Sequence, residues 1–191
     1  MTSLQRLGVK LFCREGAALP LVEFIPVFHE WIQTGVLADL LIDVADYSHV
    51  KEGPGVILVS DGGIYSIDET NGRRGLMYVR RRAMAGTVTD SLAEATKAAL
   101  RAARRLEQDF DGRMEFRGDQ LLVFANDRLL APNSEQTMKQ FRPHLEQLLA
   151  KLFPSSDCKT TQASDPRERF SVSVVCDANV SLSELASRMG C

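Results

Sequence analysis

Two hydrophobic periods alternate along this chain, one of two residues and one of about 3.6, and their order outlines a fold. Residues 7–13, LGVKLFC, alternate and predict a first strand. In the segment that ends at Gly35, Leu21, Phe24, Ile25, Phe28, Trp31 and Ile32 recur at helical spacing. Pro26 fits a first turn there and Gly35 a stop. The apolar run 39–45, DLLIDVA, predicts a short buried strand. Residues 56–60 and 64–67 flank Asp61-Gly62-Gly63, whose glycines permit a tight hairpin. Asn71-Gly72 marks a further turn before a strand over 75–79, which runs into Arg80-Arg81-Arg82.

The clearest helix covers 90–110. Leu92, Thr96, Ala99, Ala103, Leu106 and Phe110 share one face, and Lys97, Arg101, Arg104 and Arg105 share the other. A second hairpin is expected from 114–116 and 121–125, turning at Gly118-Asp119. Asn133 or Ser134 then caps a helix whose apolar positions are Met138, Phe141, Leu145, Leu148, Leu149 and Leu152. Pro143 inside it predicts a kink or break near Arg142. The stretch SSDCKTTQASDPRER is polar and reads as a linker. Residues 170–176 alternate as a strand, and Ser181-Leu182-Ser183-Glu184 is a capping box opening a short helix.

This order implies an α+β protein: a mostly antiparallel or mixed sheet with helices packed on one face, plus a short C-terminal β-α extension. The expected division is a single α+β domain over 1–153, a polar linker over 154–169, and an extension over 170–191. One strand and one short helix bury too little to stand alone, so the extension should dock on the main domain. A chain of 191 residues suits such a plan, and its 45% apolar content marks it as globular.

Charge changes the picture more than composition does. Residues 1–72 hold four Lys/Arg against ten Asp/Glu, residues 73–105 nine against two, and residues 106–191 ten against thirteen. A net charge of −2 thus hides a basic central block that suits an anionic partner, or an acidic face of the same chain. Arg73, Arg74, Lys97, Arg101, Arg104 and Arg105 are the candidate partner-binding residues. Arginine suits them to carboxylate or phosphate because its fork meets two oxygens at once. A solvated helix face balanced by the acidic N-terminal block accounts for the same residues without a partner.

Nucleic acid is a further reading for 73–105 and is not favoured. Only Tyr78 lies among the arginines as a stacking aromatic, and the pI is near 5.9.

The loop 46–55 is the candidate catalytic or ligand site. Asp46, Tyr47, Ser48, His49 and Lys51 gather a carboxylate, a phenol, a hydroxyl, an imidazole and an amine after a predicted strand end. His49 can exchange a proton near neutrality, and Arg73 or Arg74 would clamp an anion beside it. A polar surface turn entering the hairpin explains the same residues.

No phosphate-binding glycine loop, zinc helix motif or nucleophile elbow occurs, and no metal or cofactor is expected. Cys13, Cys158, Cys176 and Cys191 are widely spaced without a Cys-x-x-Cys and read as reduced thiols. With no leader-like N-terminus and no apolar span, the expected setting is cytoplasmic, away from membranes. The leading reading is a non-enzymatic interaction or assembly module with a basic contact face for an anionic protein, or for self-association. An enzyme or small-anion binder built on the 46–55 loop is the alternative.

Overall fold

A computed structural model describes residue 4 and residues 6–14, 19–50 and 53–191. Eight strands form one sheet: β1 (Leu7–Cys13), β2 (Leu41–Tyr47), β3 (Gly55–Ser60), β4 (Gly63–Asp68), β5 (Gly75–Arg80), β6 (Phe116–Ala125), β7 (Cys158–Gln162) and β8 (Ser171–Cys176). Their spatial order is β2-β3-β4-β5-β1-β6-β8-β7, and every neighbouring pair is antiparallel. Among the described residues four α-helices accompany it: α1 (Phe24–Thr34), α2 (Val88–Asp109), α3 (Glu135–Leu152) and α4 (Leu182–Met189). The architecture is α+β, as the hydrophobic periods imply.

Local chemistry sets the helix ends. Gly35 closes α1 at φ 61°, a left-handed conformation that glycine adopts freely. Thr87 and Asp90 form a capping box at the start of α2, and Ser181 and Glu184 do the same for α4. Helix α3 runs unbroken through Pro143, where a kink or break was expected. Pro143 and Lys139, whose carbonyl the proline leaves unserved, both lie on the exposed side, so solvent can take that group.

The helices bury one face of the sheet. Leu7, Val9 and Leu11 of β1 and Leu76 of β5 pack under α2, whose Leu92, Ala95, Ala99, Ala103 and Leu106 are fully enclosed, and Leu121 and Val123 of β6, the strand that α4 meets, join the same core. Phe24 of α1 meets Phe110 just after α2, with ring centroids 4.8 Å apart. The indole of Trp31 donates to Asp109 at 2.6 Å, tying α1 to α2.

Three expectations are corrected here. The second hairpin does not form: 116–125 is one ten-residue strand. Gly118 is there because the Val180 carbonyl passes 1.7 Å from where its Cβ would stand, not because the chain turns. The linker expected over 154–169 holds β7, the edge strand, and the tail is part of the sheet because β8 lies between β6 and β7. The run 39–45 was expected to be buried, yet β2 is the opposite edge strand. Leu41 is its sole buried residue, since an edge has a neighbour on one side alone.

The expectation of four reduced thiols also fails, because Cys158 and Cys176 pair across β7 and β8 as a disulfide. It spans 18 residues of sequence; by loop-closure entropy a bond of this span stabilises by about 3 kcal/mol. Among the described residues, no helix is long and apolar enough to cross a membrane.

Candidate functional site

Residues paired across antiparallel strands share a face, so the ladder defines what lines the side away from the helices. Lys10 faces Met77 on one side and Leu122 on the other, and Leu122 faces Ser173 in turn. These residues, with Phe12, Asp68, Arg73 and Arg169, line a groove of about 900 Å³ across this uncovered face. Gly53, Pro54 and Arg128 also line it.

The floor of the groove is charged. Lys10 is 2% exposed and Asp68 3%, and the two form an ion pair. Lys10 also donates to the Arg73 carbonyl at 2.6 Å, and the Thr70 hydroxyl donates to the second Asp68 oxygen at 2.7 Å. Burial pulls the Lys10 ammonium below its usual pKa, against the opposing pull of Asp68.

Two guanidinium groups lie on aromatic rings beside this pair. Arg73 sits 3.8 Å over Phe12 and donates to the Gln120 side chain at 2.6 Å. Arg169 sits 3.8 Å over Phe124. That ring lies so close to β1 that a Cβ on Gly8 would come within 2.2 Å of it, which is why residue 8 is glycine. Arg169 makes no ion pair within 4 Å among the described residues; its one side-chain hydrogen-bond contact is the Met77 sulfur at 3.8 Å, and the charges of Asp68 and Glu168 act on it from farther away. Burial lowers its pKa, yet an arginine remains charged at neutral pH.

The segment carrying Arg169 is held by Asn133. This side chain donates to the carbonyls of Ala163 and Asp165 at 2.9 and 2.8 Å and accepts from Gln162 at 2.8 Å. A β-bridge from Pro132 to Arg169 completes the clamp.

The sequence-derived candidates separate. Asp46, Tyr47 and His49 are exposed. Asp46 accepts from the Ser48 backbone at 2.8 Å, and hydrogen bonds from Ser48 hold its carboxyl below the usual range. The Tyr47 and His49 rings stack with centroids 6.5 Å apart. Lys51, the loop's amine, lies outside the described residues. The loop does reach the groove, but through Gly53 and Pro54. Arg73 shares that groove, while Asp46, Tyr47 and His49 do not line it. Arg74 pairs instead with Glu69 and with the Leu19 carbonyl.

The α2 cations are half-buried rather than fully solvated. Lys97 pairs with Glu94 at 2.8 Å and Arg105 with Asp109 at 2.8 Å, while Arg104 reaches the Cys191 carbonyl at 3.5 Å. Arg101 lines a separate small pocket.

Lys10, Phe124 and Arg169 were missed as site residues, and Asp68, weighed with Glu69 as a carboxylate pair, reads from sequence as a solvated loop acid. Lys10 left a trace, a lone cation inside the alternating LGVKLFC; Phe124 and Arg169 had none, because nothing local places them on one surface. Among the described residues no three His, Cys, Asp or Glu side chains gather at metal-binding range.

The arrangement can bind an anion: paired charge on the floor, two preset guanidinium forks, and hydroxyls from Thr161, Ser171 and Ser173 along the wall. No family model matches the chain. No curated protein matches it either.

Proposed function

We propose that this chain is a binding module whose uncovered sheet face receives an acidic segment of a partner protein. The observation that carries this reading is Arg169, a half-buried guanidinium held 3.8 Å over Phe124 with no ion pair within 4 Å among the described residues. Arg73, pinned on Phe12, supplies a second fork in the same groove. Stacking fixes each group before a ligand arrives, so little side-chain entropy is lost on binding. The basic contact face read from the sequence thus moves from α2, whose cations largely serve internal partners, to this groove. The acids Asp68 and Glu168 also line it, and Asp68 is neutralised by Lys10.

The sequence suggests a cytoplasmic setting. The Cys158–Cys176 bond favours an oxidising compartment, where such bonds persist.

The test is fluorescence anisotropy with a labelled hexaglutamate peptide. Binding should saturate and weaken with added salt. Arg169→Gln and Arg73→Gln should each weaken it about tenfold, the worth of one charge-assisted hydrogen bond. Binding that is absent, or unchanged in both variants, refutes the reading.

A further inference from the structure

On the helix side of the sheet, at the end of β4 and β5 remote from the groove's floor, lies a pocket of about 210 Å³. Pockets for drug-sized molecules run to roughly 300–1,000 Å³, so this one suits a small group. Its lining is unbalanced in hydrogen bonding. Arg80, Arg101, Tyr65 and Tyr78 all face it, and all carry donors.

The two carboxylates in the lining already hold donors of their own, although those of Asp39 are neutral and its charge still acts on both phenols. Asp39 accepts from the Ser60 hydroxyl at 2.5 Å and from the Gly62 amide at 3.0 Å, and Glu94 holds Lys97 at 2.8 Å. The Arg80 Nε is buried and has no hydrogen-bond partner among the described residues. Its Nη2 has one long contact, 3.4 Å to the Arg82 carbonyl. Arg101 has no ion-pair partner among the described residues, and neither phenol hydroxyl has a hydrogen-bond partner there. The phenol rings sit 4.7 Å apart. Burial pushes Tyr78 up to about 12 and Tyr65 higher still, so both stay protonated donors at neutral pH.

Buried donors in folded proteins are almost always satisfied, and one left without an acceptor calls for an explanation. Two guanidinium forks and two phenols around one small space are what a tetrahedral oxyanion requires. We infer that the pocket between Arg80 and Arg101 binds a phosphate group, free or carried by a small monoester. The site is independent of the acidic-segment reading of the groove and shares no residue with it.

The test uses the full chain and two probes, inorganic phosphate and glycerol phosphate, each titrated by calorimetry at constant ionic strength. In parallel, the Arg80 Nε–H resonance is followed by NMR. One or both probes should bind saturably and shift that resonance, and the tighter of the two identifies the source of the phosphate. Arg101→Gln and Arg80→Gln should each weaken binding about tenfold, and Tyr65→Phe about threefold. Arg81→Gln, an exposed neighbour outside the pocket, should leave it unchanged. The Arg80 resonance keeps the proposal testable even where a variant fails to fold, because it is read on the unmodified protein. A resonance unmoved by either probe overturns the inference, as does binding that survives Arg101→Gln.

Discussion

Replacing Lys10 by Met should be far more damaging than loss of an ordinary ion pair. The side chain lies on the uncovered face of the sheet yet is 2% exposed, and its partner Asp68 is 3% exposed. Without the ammonium, the Asp68 carboxylate keeps one described side-chain donor, the Thr70 hydroxyl. A surface pair would contribute about 0–1 kcal/mol, whereas stranding one partner of a buried pair costs about 3–5 kcal/mol. For a domain of this length each kcal/mol moves Tm by about 2–4 °C, so Lys10→Met should lower Tm by about 6–20 °C. The double variant Lys10→Met/Asp68→Leu removes both charges beside the apolar Met77, Phe12 and Leu122, and should recover most of that loss. Calorimetric melting of wild type, both single variants and the double variant closes the cycle. If Lys10→Met costs less than about 1 kcal/mol, the pair behaves as a surface pair and the reasoning fails. A double variant no more stable than Lys10→Met alone would refute the account equally.

Two further outcomes follow from the same structure. A chain ending at residue 153 should not fold, because Phe170, Val172, Val174, Leu182 and Leu185 leave the core and β6 loses its neighbour β8; near-UV circular dichroism of the truncated chain should show no tertiary signal, and a native-like spectrum would contradict this. Stability should hold below about pH 9 and fall between about pH 9 and 12, because burial raises the Cys13 thiol from 9.0 to about 12 and the Tyr78 phenol from 10.0 to about 12. The unfolded chain gives up those protons first and is favoured as pH climbs; Lys10, held below its usual value, acts in the opposite sense, and Tyr65 reinforces the fall. Thermal melts across this range should show the decline, and Cys13→Ala should flatten it; a Tm that rises with pH there would reverse the sign.

What the sequence determined by itself is local. The alternation of LGVKLFC is the strand Leu7–Cys13, the capping box at Ser181 opens Leu182–Met189, and Gly35 ends α1 in the left-handed conformation. These features are legible because their causes lie within a few residues: side-chain period, capping hydroxyls, and the freedom of glycine. The α+β class follows from them by simple layering. The tertiary structure decided everything that depends on which distant segments become neighbours. It placed β8 between β6 and β7, joined Cys158 to Cys176, and laid the Val180 carbonyl over Gly118, so that an apparent turn became the middle of a strand. It also set Lys10 against Asp68, 58 residues away, and Arg169 over Phe124. No local preference encodes such meetings. They are fixed when packing the apolar faces selects one strand order, and the charges on the other face then take the neighbours that order provides.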